Sequence, residues 1–245
     1  MPGSESFSII IPARYGSTRL PGKPLLDIKG KPLLQHVFET ATQTHAKTII
    51  IATDDDRIAS CAESFGASVI MTSKEHESGT DRIAEAVRQL DLNDEEVVVN
   101  LQGDEYGLPV TLINQVASNL YNNPAKQVAT LCEVIASMDE YLDPNVVKVI
   151  FDKSNSAIYF SRSPIPVNRS GGLPEQAYRH IGLYAYRAGY LQEFTQLAPC
   201  VIEQAEALEQ LRVLFNGGKI HVEIAVDKTG VGIDSAEDLE SARAE

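Results

Sequence analysis

The sequence is short of cations, tryptophan and long apolar runs, and the shortages exclude several classes of protein. It has 21 lysine and arginine residues against 34 aspartate and glutamate residues, a formal net charge of -13. A chain this acidic has no basic stripe for nucleic acid or an anionic membrane, so it favours small-molecule partners. No run approaches the roughly 18 apolar residues that cross a bilayer, and the N-terminus lacks a secretory pattern. We therefore expect a cytoplasmic protein.

The few cysteines exclude a disulfide framework and a zinc site. Cys61, Cys132 and Cys200 are odd in number, widely spaced and without a C-x-x-C pair. We expect them to be reduced core residues. The 245 residues, 43% of them hydrophobic, can bury a substantial core in one large domain or two small ones.

Short β-branched runs alternate with helical patterns in the first half of the chain, and each run is typical of a strand buried on both faces. The predicted strands are 7–11, 48–53, 67–71 and 97–101. Repeated βαβ units predict an α/β protein with a doubly wound, mostly parallel sheet.

The second half is richer in strands, which we interpret as antiparallel additions that cover a ligand cleft. Strands are predicted at 128–135, 146–152, 157–162, 181–187 and 219–226. One long helix is predicted from about Glu203 to Asn216, closed by two glycines. A capping box from Ser235 to Asp238 predicts the start of a last helix.

A loop with three cations and no acid follows the first predicted strand. Ligands of open α/β sheets bind at the carboxyl ends of strands, where this loop lies. Gly16 and Gly22 allow backbone N–H groups to approach phosphate oxygens, and Arg14, Arg19 and Lys23 can neutralise their charge. The spacing fits neither G-x-G-x-x-G nor a Walker A loop. The pattern predicts a nucleoside triphosphate site, with a solvated basic turn as the alternative.

Two aspartates at predicted strand ends are candidate ligands for a hard cation. Asp104 follows Gln102-Gly103 after the strand at 97–101, and Asp234 lies between the last strand and the last helix. Magnesium is commonly held by one or two carboxylates together with phosphate oxygens. The alternative for Asp234 is an N-terminal helix cap.

Two further segments are candidates for contacts with a base or a sugar. Ser78, Gly79 and Thr80 precede a helix and suit a base or ribose, although the hydroxyls serve equally well as helix caps. Glu206 and Gln210 are four residues apart, and with Glu209 and Arg212 nearby they could form a polar wall for a sugar. A solvated helix surface is the alternative there.

Seven motifs, in order along nearly the whole chain, closely resemble the 3-deoxy-manno-octulosonate cytidylyltransferases, or CMP-Kdo synthetases. They are the run 11–14 with 20–25, then 52–54, 78–82, 100–105, 159–162, 179–184 and 209–212. The resemblance implies a nucleotide-diphospho-sugar transferase fold, a homodimer and a role in lipopolysaccharide biosynthesis. We expect one nucleotidyltransferase domain over 1–245. Its parts would be a Rossmann-like CTP half at 1–125, a sugar-binding and dimerisation half at 126–218, and a returning strand and helix with a metal ligand at 219–245.

The resemblance also implies roles for individual residues. Arg14, Lys23, Asp104 and Asp234 would be catalytic, and the two aspartates would hold Mg²⁺. CTP would contact Ala13, Arg14, Gly16, Ser17, Arg19, Lys23, Ser78, Arg82 and Gln102. The acid sugar would contact Arg162, Arg179, His180, Tyr184, Glu206 and Gln210. The implied reaction is attack of the sugar's anomeric hydroxyl on the α-phosphate of CTP, which releases pyrophosphate and forms a CMP-sugar.

The chain departs from the family pattern after Glu105. The family usually continues with Pro-x-Ile-Pro, whereas this chain has Tyr106-Gly107-Leu108-Pro109, and its Ile165-Pro166-Val167 lacks the usual aromatic residue. These changes lead us to add Tyr106 to the sugar contacts and to favour 8-amino-3,8-dideoxy-manno-octulosonate over Kdo. The alternatives are activation of another acid sugar such as a sialic acid, and a nucleotide-binding regulatory module without turnover.

Overall fold

The computed structural model describes residues 6–16, 20–76, 78–230, 232–233 and 235–244. Its strands are β1 Phe7–Ala13, β2 Asp27–Ile28, β3 Lys31–Pro32, β4 Thr48–Thr53, β5 Ser68–Met71, β6 Val97–Asn100, β7 Val128–Val134, β8 Lys148–Phe151, β9 Ala157–Ser161, β10 Tyr178–Arg187 and β11 Ile220–Ile224. Its helices are α1 Leu33–Thr42, α2 Asp56–Ser64, α3 Gly79–Gln89, α4 Val110–Tyr121, α5 Met138–Leu142, α6 Ala188–Phe194, α7 Val201–Glu206, α8 Leu211–Phe215 and α9 Ala236–Ala244.

A central sheet runs in the order β11-β7-β10-β6-β1-β4-β5. Strands β6, β1, β4 and β5 are parallel, as are β11 and β7. Strand β10 is antiparallel to both of its neighbours, β6 and β7, and β8 and β9 continue from it as an antiparallel extension. The predicted mostly parallel α/β sheet with antiparallel additions in the second half is confirmed.

The core lies on both faces of this sheet because successive side chains of a strand point to opposite faces. Ile9 and Ile11 of β1 pack with Leu34 of α1 and Val116 of α4 in one layer. Ile10 packs in the other layer, which contains residues of α3, α6 and α8. Every residue of β1 is buried, as its continuous apolar run predicts.

Polar caps start several helices where the sequence places them. The Asp55 side chain accepts a hydrogen bond from the Arg57 N–H at the start of α2, and Ser78 accepts one from the Asp81 N–H at the start of α3. At α9, the Ser235 N–H donates to Asp238 and the Asp238 N–H donates to the Ser235 hydroxyl. The predicted capping box is confirmed, and Ser235 supplies the cap.

The predicted long helix from Glu203 to Asn216 is wrong, because the chain breaks it into α7 and α8. Ala207 adopts a left-handed conformation with φ 50° and ends α7. Arg162 stabilises this end: its Nε donates to the Glu206 carbonyl at 2.6 Å and its Nη2 to the Ala207 carbonyl at 3.4 Å. Helix periodicity at 203–216 cannot reveal the break, since the arginine that caps it directly follows β9, far away in the sequence.

Two negative expectations can be checked within the described ranges. Cys61, Cys132 and Cys200 all lie in them and form no disulfide, although Cys61 is only partly buried and so is not a core residue as predicted. No helix in the described part of the chain has both the length and the apolar character that a bilayer crossing requires.

Candidate active site

The carboxyl ends of β1 and β6 lie side by side and form the floor of the site. Ile10 of β1 is in register with Asn100, the last residue of β6. A Cβ atom at Gly103 would lie 2.9 Å from the Pro12 carbonyl oxygen. Only glycine therefore fits at this point, and its small size lets the loop after β6 pack against the end of β1.

Lys23 and Asp104 meet above this floor. Lys23 Nζ lies 2.6 Å from Asp104 Oδ2, and Lys23 is buried while the Asp104 side chain is 39% exposed. Gly22 has φ 68° and its N–H donates to the Tyr15 carbonyl, which turns the loop back over the strand end. The structure thus brings together the loop cation and the strand-end carboxylate that the sequence assigns to the triphosphate and the metal.

The mouth of this site is more open. Arg14 is exposed and makes no hydrogen bond or ion pair within the described residues, and a Cβ atom at Gly16 would meet nothing within 4 Å. Ala13, the last residue of β1, is buried beneath them. Ser17 and Arg19 lie outside the described residues.

The residues assigned to the base and ribose are held near the start of α3. Gln102 Nε2 donates to Asn100 Oδ1 at 3.0 Å, and its Oε1 lies 3.7 Å from where a Cβ atom of Gly79 would be. Ser78 caps α3, and Arg82 is buried in an ion pair with Asp54 at 2.9 Å. Arg82 is therefore anchored within the fold, and its contact with CTP stays a prediction.

The metal side of the site has carboxylate oxygens and one nearby backbone anchor. Asp104 is followed by Glu105, and the Ile233 N–H donates to the Asp104 carbonyl at 3.2 Å. Asp234 itself lies outside the described residues. Among the residues that the structure covers, no group of three or more His, Cys, Asp or Glu side chains could hold a metal.

A bulge in β10 creates the candidate sugar side. His180 pairs with Cys132 and Tyr184 with Thr130, so two extra residues of β10 lie between positions only two apart on β7. The Thr130 hydroxyl lies 2.9 Å from the Ile181 and Leu183 carbonyl oxygens within the bulge. As a result, the His180 and Tyr184 rings are only 5.3 Å apart. Periodicity does not reveal this pairing, because the bulge changes the register.

Burial dominates the electrostatics of this group. Burial lowers the pKa of His180 to about 3, although the Thr130 hydroxyl lies 3.1 Å from His180 Nε2, and burial raises the pKa of Tyr184 well above its usual value. The Tyr184 hydroxyl is buried and has no hydrogen-bond partner among the described residues. Burying a polar group without a partner costs stability, so this hydroxyl is available to a ligand.

Glu209, which the sequence places only near the polar wall, forms part of the same side. Its Oε2 accepts a hydrogen bond from the Thr80 hydroxyl at 2.6 Å, which joins the start of α3 to the turn before α8. Burial raises the pKa of Glu209. The neighbouring Gln210 is 9% exposed and makes no side-chain hydrogen bond within the described ranges.

Glu206 and Arg162, by contrast, are already paired with the protein. Glu206 accepts hydrogen bonds from the Ser161 hydroxyl at 2.7 Å and the Arg162 N–H at 2.9 Å. The Arg162 guanidinium donates to the carbonyls of Pro144, Glu206 and Ala207. These contacts fix the break between α7 and α8, and the assigned contacts with sugar stay predictions.

The Arg179 and Tyr106 side chains make their contacts away from the His180 and Tyr184 rings. Arg179 pairs with Glu133 of β7 and donates to the Thr229 hydroxyl at 2.7 Å. The Tyr106 ring packs edge-on against His36 with 5.3 Å between ring centres, in the core layer that contains α1 and α4. Tyr184 packs in the opposite layer.

A family model described as cytidylyltransferase matches residues 8–220 of this chain. The chain belongs to the cytidylyltransferase family. It is 51% identical to the 3-deoxy-manno-octulosonate cytidylyltransferase of Hahella chejuensis over 248 residues, which cover 98% of this chain and 97% of that protein. It is also 51% identical to the protein of that name from Haemophilus influenzae, with 98% of each chain covered. The chain is therefore a nucleotidyltransferase, and its relatives are named for activation of this sugar acid.

Solved structures agree with this assignment. A CMP:2-keto-3-deoxy-manno-octonic acid synthetase complexed with CTP superposes with a TM-score of 0.91 at 44% identity, covering 98% of both chains. A 4-diphosphocytidyl-2C-methyl-D-erythritol synthase shares the fold with a TM-score of 0.65 at 13% identity. The expected nucleotide-diphospho-sugar transferase fold is confirmed.

Proposed function

We propose that this cytidylyltransferase activates a Kdo-type sugar acid with CTP, giving the CMP-sugar and pyrophosphate for lipopolysaccharide biosynthesis. The observation that carries the proposal is the pairing of Lys23 with Asp104 where β1 and β6 end. This pairing puts a cation and a carboxylate at the carboxyl ends of neighbouring strands, which is where open α/β sheets bind their ligands. The 51% identical relatives carry the same activity in their names.

The residues of the site account for the chemistry by positioning and charge. Lys23 and the exposed Arg14 would neutralise the triphosphate, and Gln102 beside the start of α3 would contact the cytosine. Tyr184, Glu209 and Gln210 would orient the sugar so that its anomeric hydroxyl faces the α-phosphate. The sugar oxygen forms a bond to this phosphorus atom while the bond to pyrophosphate breaks. No covalent enzyme intermediate is needed.

The donor set at Asp104 fits Mg²⁺. Asp104 and Glu105 offer carboxylate oxygens, the ligand type that this hard cation takes, and Asp104 is partly open to solvent. Asp104 would hold the ion together with Asp234, which the resemblance assigns. When bound, the ion would neutralise charge on the phosphate oxygens and acidify a bound hydroxyl.

We further propose that the enzyme is a cytoplasmic homodimer. Val134, Ile224 and Val226 are all exposed and line a cleft of about 470 Å³ beside the edge strand β11. Contiguous exposed apolar surface of this kind supports contact with a second subunit. Light scattering would test this, and a monomer at micromolar concentration would contradict it.

The finer proposal is that 8-amino-3,8-dideoxy-manno-octulosonate is preferred over Kdo. Its support is the departure at Tyr106-Gly107, where Gly107 has φ 70° and a Cβ atom at Gly230 would lie 2.4 Å from the Gly107 carbonyl oxygen. The Tyr106 ring packs against His36 in the layer opposite to Tyr184, so the departure in the sequence, and not a contact with the sugar side, supports this preference. Sites built around a polar group reject analogues without it strongly.

The test is pyrophosphate release with CTP and each of Kdo, its 8-amino analogue and a sialic acid. We expect the highest kcat/KM for the 8-amino sugar, with Tyr106→Phe and Tyr106→Pro each narrowing its advantage over Kdo. Equal or faster turnover of Kdo by the wild type would contradict the finer proposal alone. Faster turnover of sialic acid would indicate a different acid sugar, and no release with any sugar would indicate a binding module.

A further inference from the structure

We propose that Glu133 is a positioning residue that holds the metal side of the active site in register with Asp104. It acts through the segment that follows β11, here named the strap and defined as residues 227–230, 232 and 233. This inference rests on the proposed function, because it assigns to the strap a role in presenting the ligands of Mg²⁺.

A clasp formed by Glu133, Arg179 and Thr229 anchors the strap to β7 and β10. Glu133 Oε1 accepts hydrogen bonds from the Thr229 N–H at 2.7 Å and the Thr229 hydroxyl at 3.1 Å. Glu133 Oε2 accepts from Arg179 Nε at 2.8 Å, and Arg179 Nη2 donates to the Thr229 hydroxyl at 2.7 Å. Each of the three side chains thus contacts both of the others.

The strap then runs along the loop that carries Asp104. A Cβ atom at Gly230 would lie 2.4 Å from the Gly107 carbonyl oxygen and 3.1 Å from that of Tyr106. Three residues further on, the Ile233 N–H donates to the Asp104 carbonyl. The clasp and the Asp104 loop therefore hold opposite ends of one short segment, and Asp234 follows that segment directly in the sequence.

Little else holds the strap in place. Residues 227, 228 and 230 are exposed, and Ile233 is its one deeply buried apolar residue among those described. Between described residues, the other hydrogen bond from a strap side chain to a neighbouring element is a long one, from the Thr111 hydroxyl to Asp227 at 3.3 Å. Within one subunit the strap has little apolar burial, so its position there depends on the clasp.

The charge on Glu133 is the part of the clasp that can be removed most cleanly. Burial alone would raise the pKa of Glu133, but the hydrogen bonds from Thr229 and Arg179 hold the pKa below its usual value. The group is therefore a carboxylate at neutral pH. Glu133→Gln keeps its size and removes the charge.

Glu140→Gln is a matched control. Glu140 Oε1 lies 3.4 Å from Arg179 Nε, so both substitutions remove a carboxylate near the same guanidinium. Glu140 lies in the first turn of α5, where its N–H donates to the Ser137 hydroxyl and its Oε2 accepts from the Ala136 N–H at 3.4 Å. Gln keeps an oxygen acceptor at this place, and Glu140 makes no hydrogen bond to Thr229 within the described residues. Only Glu133→Gln should therefore weaken the hold on the strap.

The experiment measures metal dependence and strap mobility on the full-length protein. In Glu133→Gln we expect the Mg²⁺ concentration for half-maximal pyrophosphate release to rise about tenfold, as expected when hydrogen bonds to a charged group weaken. We expect the KM for the sugar and the melting temperature to change little. Hydrogen exchange without any ligand should be faster in peptides covering 227–244, and Glu140→Gln should match the wild type in all these measurements.

Several results would overturn the inference. Unchanged exchange over 227–244 in Glu133→Gln would show that the clasp does not hold the strap. A rise in the sugar KM with unchanged Mg²⁺ dependence would show that Glu133 acts through Arg179 on the sugar. If the wild type releases no pyrophosphate, the proposed function fails and with it the role in metal binding, while exchange still reports whether the clasp anchors the strap.

Discussion

The phosphate side and the sugar side of the site use their charged residues differently. On the phosphate side, Arg14 is exposed and Asp104 remains 39% exposed beside Lys23. On the sugar side, Arg162, Arg179 and Glu206 are all bonded to other protein groups. Among the described residues of that side, the buried Tyr184 hydroxyl and the Gln210 side chain make no hydrogen bond and are still available.

This difference separates residues that can bind a substrate from residues that shape the surface on which it binds. A guanidinium that already donates to three carbonyls has few donors left for a sugar carboxylate. An exposed guanidinium at a strand end keeps all of them. We therefore expect substitutions on the phosphate side to affect turnover, and those at Arg162 or Glu206 to affect stability as well.

Asp104→Asn should produce the largest effect. Loss of the carboxylate removes both a metal ligand and the partner of Lys23, and turnover should fall at least roughly a hundredfold as transition-state charge loses its counter-ion. Asp234→Asn should act in the same way. Steady-state pyrophosphate release at saturating Mg²⁺ measures both.

Asp91→Asn is the control for the loss of a carboxylate. Asp91 is exposed, precedes β6 at the end opposite to Asp104, and has φ 53°, a conformation that asparagine tolerates well. It should leave turnover unchanged. Near-normal turnover by Asp104→Asn would contradict the assignment of Asp104 as a metal ligand. It would also remove the distinction between the phosphate side and the sugar side of the site.

Arg14→Ala should reduce CTP-dependent turnover at least about tenfold without changing the melting temperature. A hydrogen bond to a charged group is worth about 1.5–3 kcal/mol, whereas an exposed arginine with no partner in the described part of the chain contributes little to folding. Arg88→Ala, in the exposed last turn of α3, removes the same charge away from the site. A lower melting temperature with unchanged activity per folded molecule would show that Arg14 serves the fold.

Lys23→Ala should lose at least as much turnover as Arg14→Ala. Lys23 is buried and pairs with Asp104, so its removal also leaves that carboxylate without its partner. We still expect a nearly unchanged melting temperature, because the Asp104 side chain is partly hydrated. Thermal unfolding of the two variants, measured side by side, shows whether loss of the buried Lys23 lowers the melting temperature more than loss of the exposed Arg14.

The fold was largely predictable because strand patterns in this chain are local. The run Thr48–Thr53 is apolar and β-branched, and it forms β4 with the predicted ends. Lys23 and Asp104 were predictable as neighbours because both follow strands of a parallel sheet, whose carboxyl ends meet at one edge.

The sugar side was less predictable because long-range contacts create it. The bulge that brings His180 to Tyr184 depends on the pairing of β10 with β7, and the break after Glu206 depends on Arg162. Neither the bulge nor the helix break leaves a periodic pattern in the nearby sequence. The motif 209–212 groups Glu209 with Gln210 and Arg212. The helix-face argument that joins Glu206 to Gln210 is wrong, because α7 ends at Glu206 and α8 begins only at Leu211.

Tyr184→Phe should lower the kcat/KM for the sugar roughly threefold to tenfold while leaving the protein as stable or more stable. The change removes one hydrogen bond to substrate, but it also removes a buried hydroxyl that has no partner among the described residues, and such groups destabilise the fold by about 1 kcal/mol or more. Chemical denaturation and sugar kinetics measure the two effects.

Tyr186→Phe is the matched control for Tyr184→Phe. The Thr80 side chain interacts with the Tyr186 hydroxyl, and the Tyr186 ring stacks on Tyr184 with 5.8 Å between ring centres. Removal of the Tyr186 hydroxyl should therefore destabilise the protein, in the opposite direction to Tyr184→Phe. Equal losses of stability in both variants would show that the Tyr184 hydroxyl has a hydrogen-bond partner in the free enzyme. Tyr184 would then resemble Arg162, whose donors are already used within the protein.

The smallest expected effect is a pH dependence of stability that comes from His180. Its pKa is lowered to about 3 in the folded protein by burial, against about 6.5 in the unfolded chain. Between these values the unfolded state binds more protons, so the free energy of unfolding falls as the pH decreases from about 6.5 towards 3. His180→Phe removes the titrating group. Between pH 7 and 5.5 its free energy of unfolding should therefore fall by about 1 kcal/mol less than that of the wild type. Denaturation curves at both pH values measure this difference. The two proteins share Glu209 and every other carboxyl group, so the titrations of those groups cancel in the comparison. Equal losses in the free energy of unfolding would show that His180 is hydrated, like the exposed residues of the phosphate side.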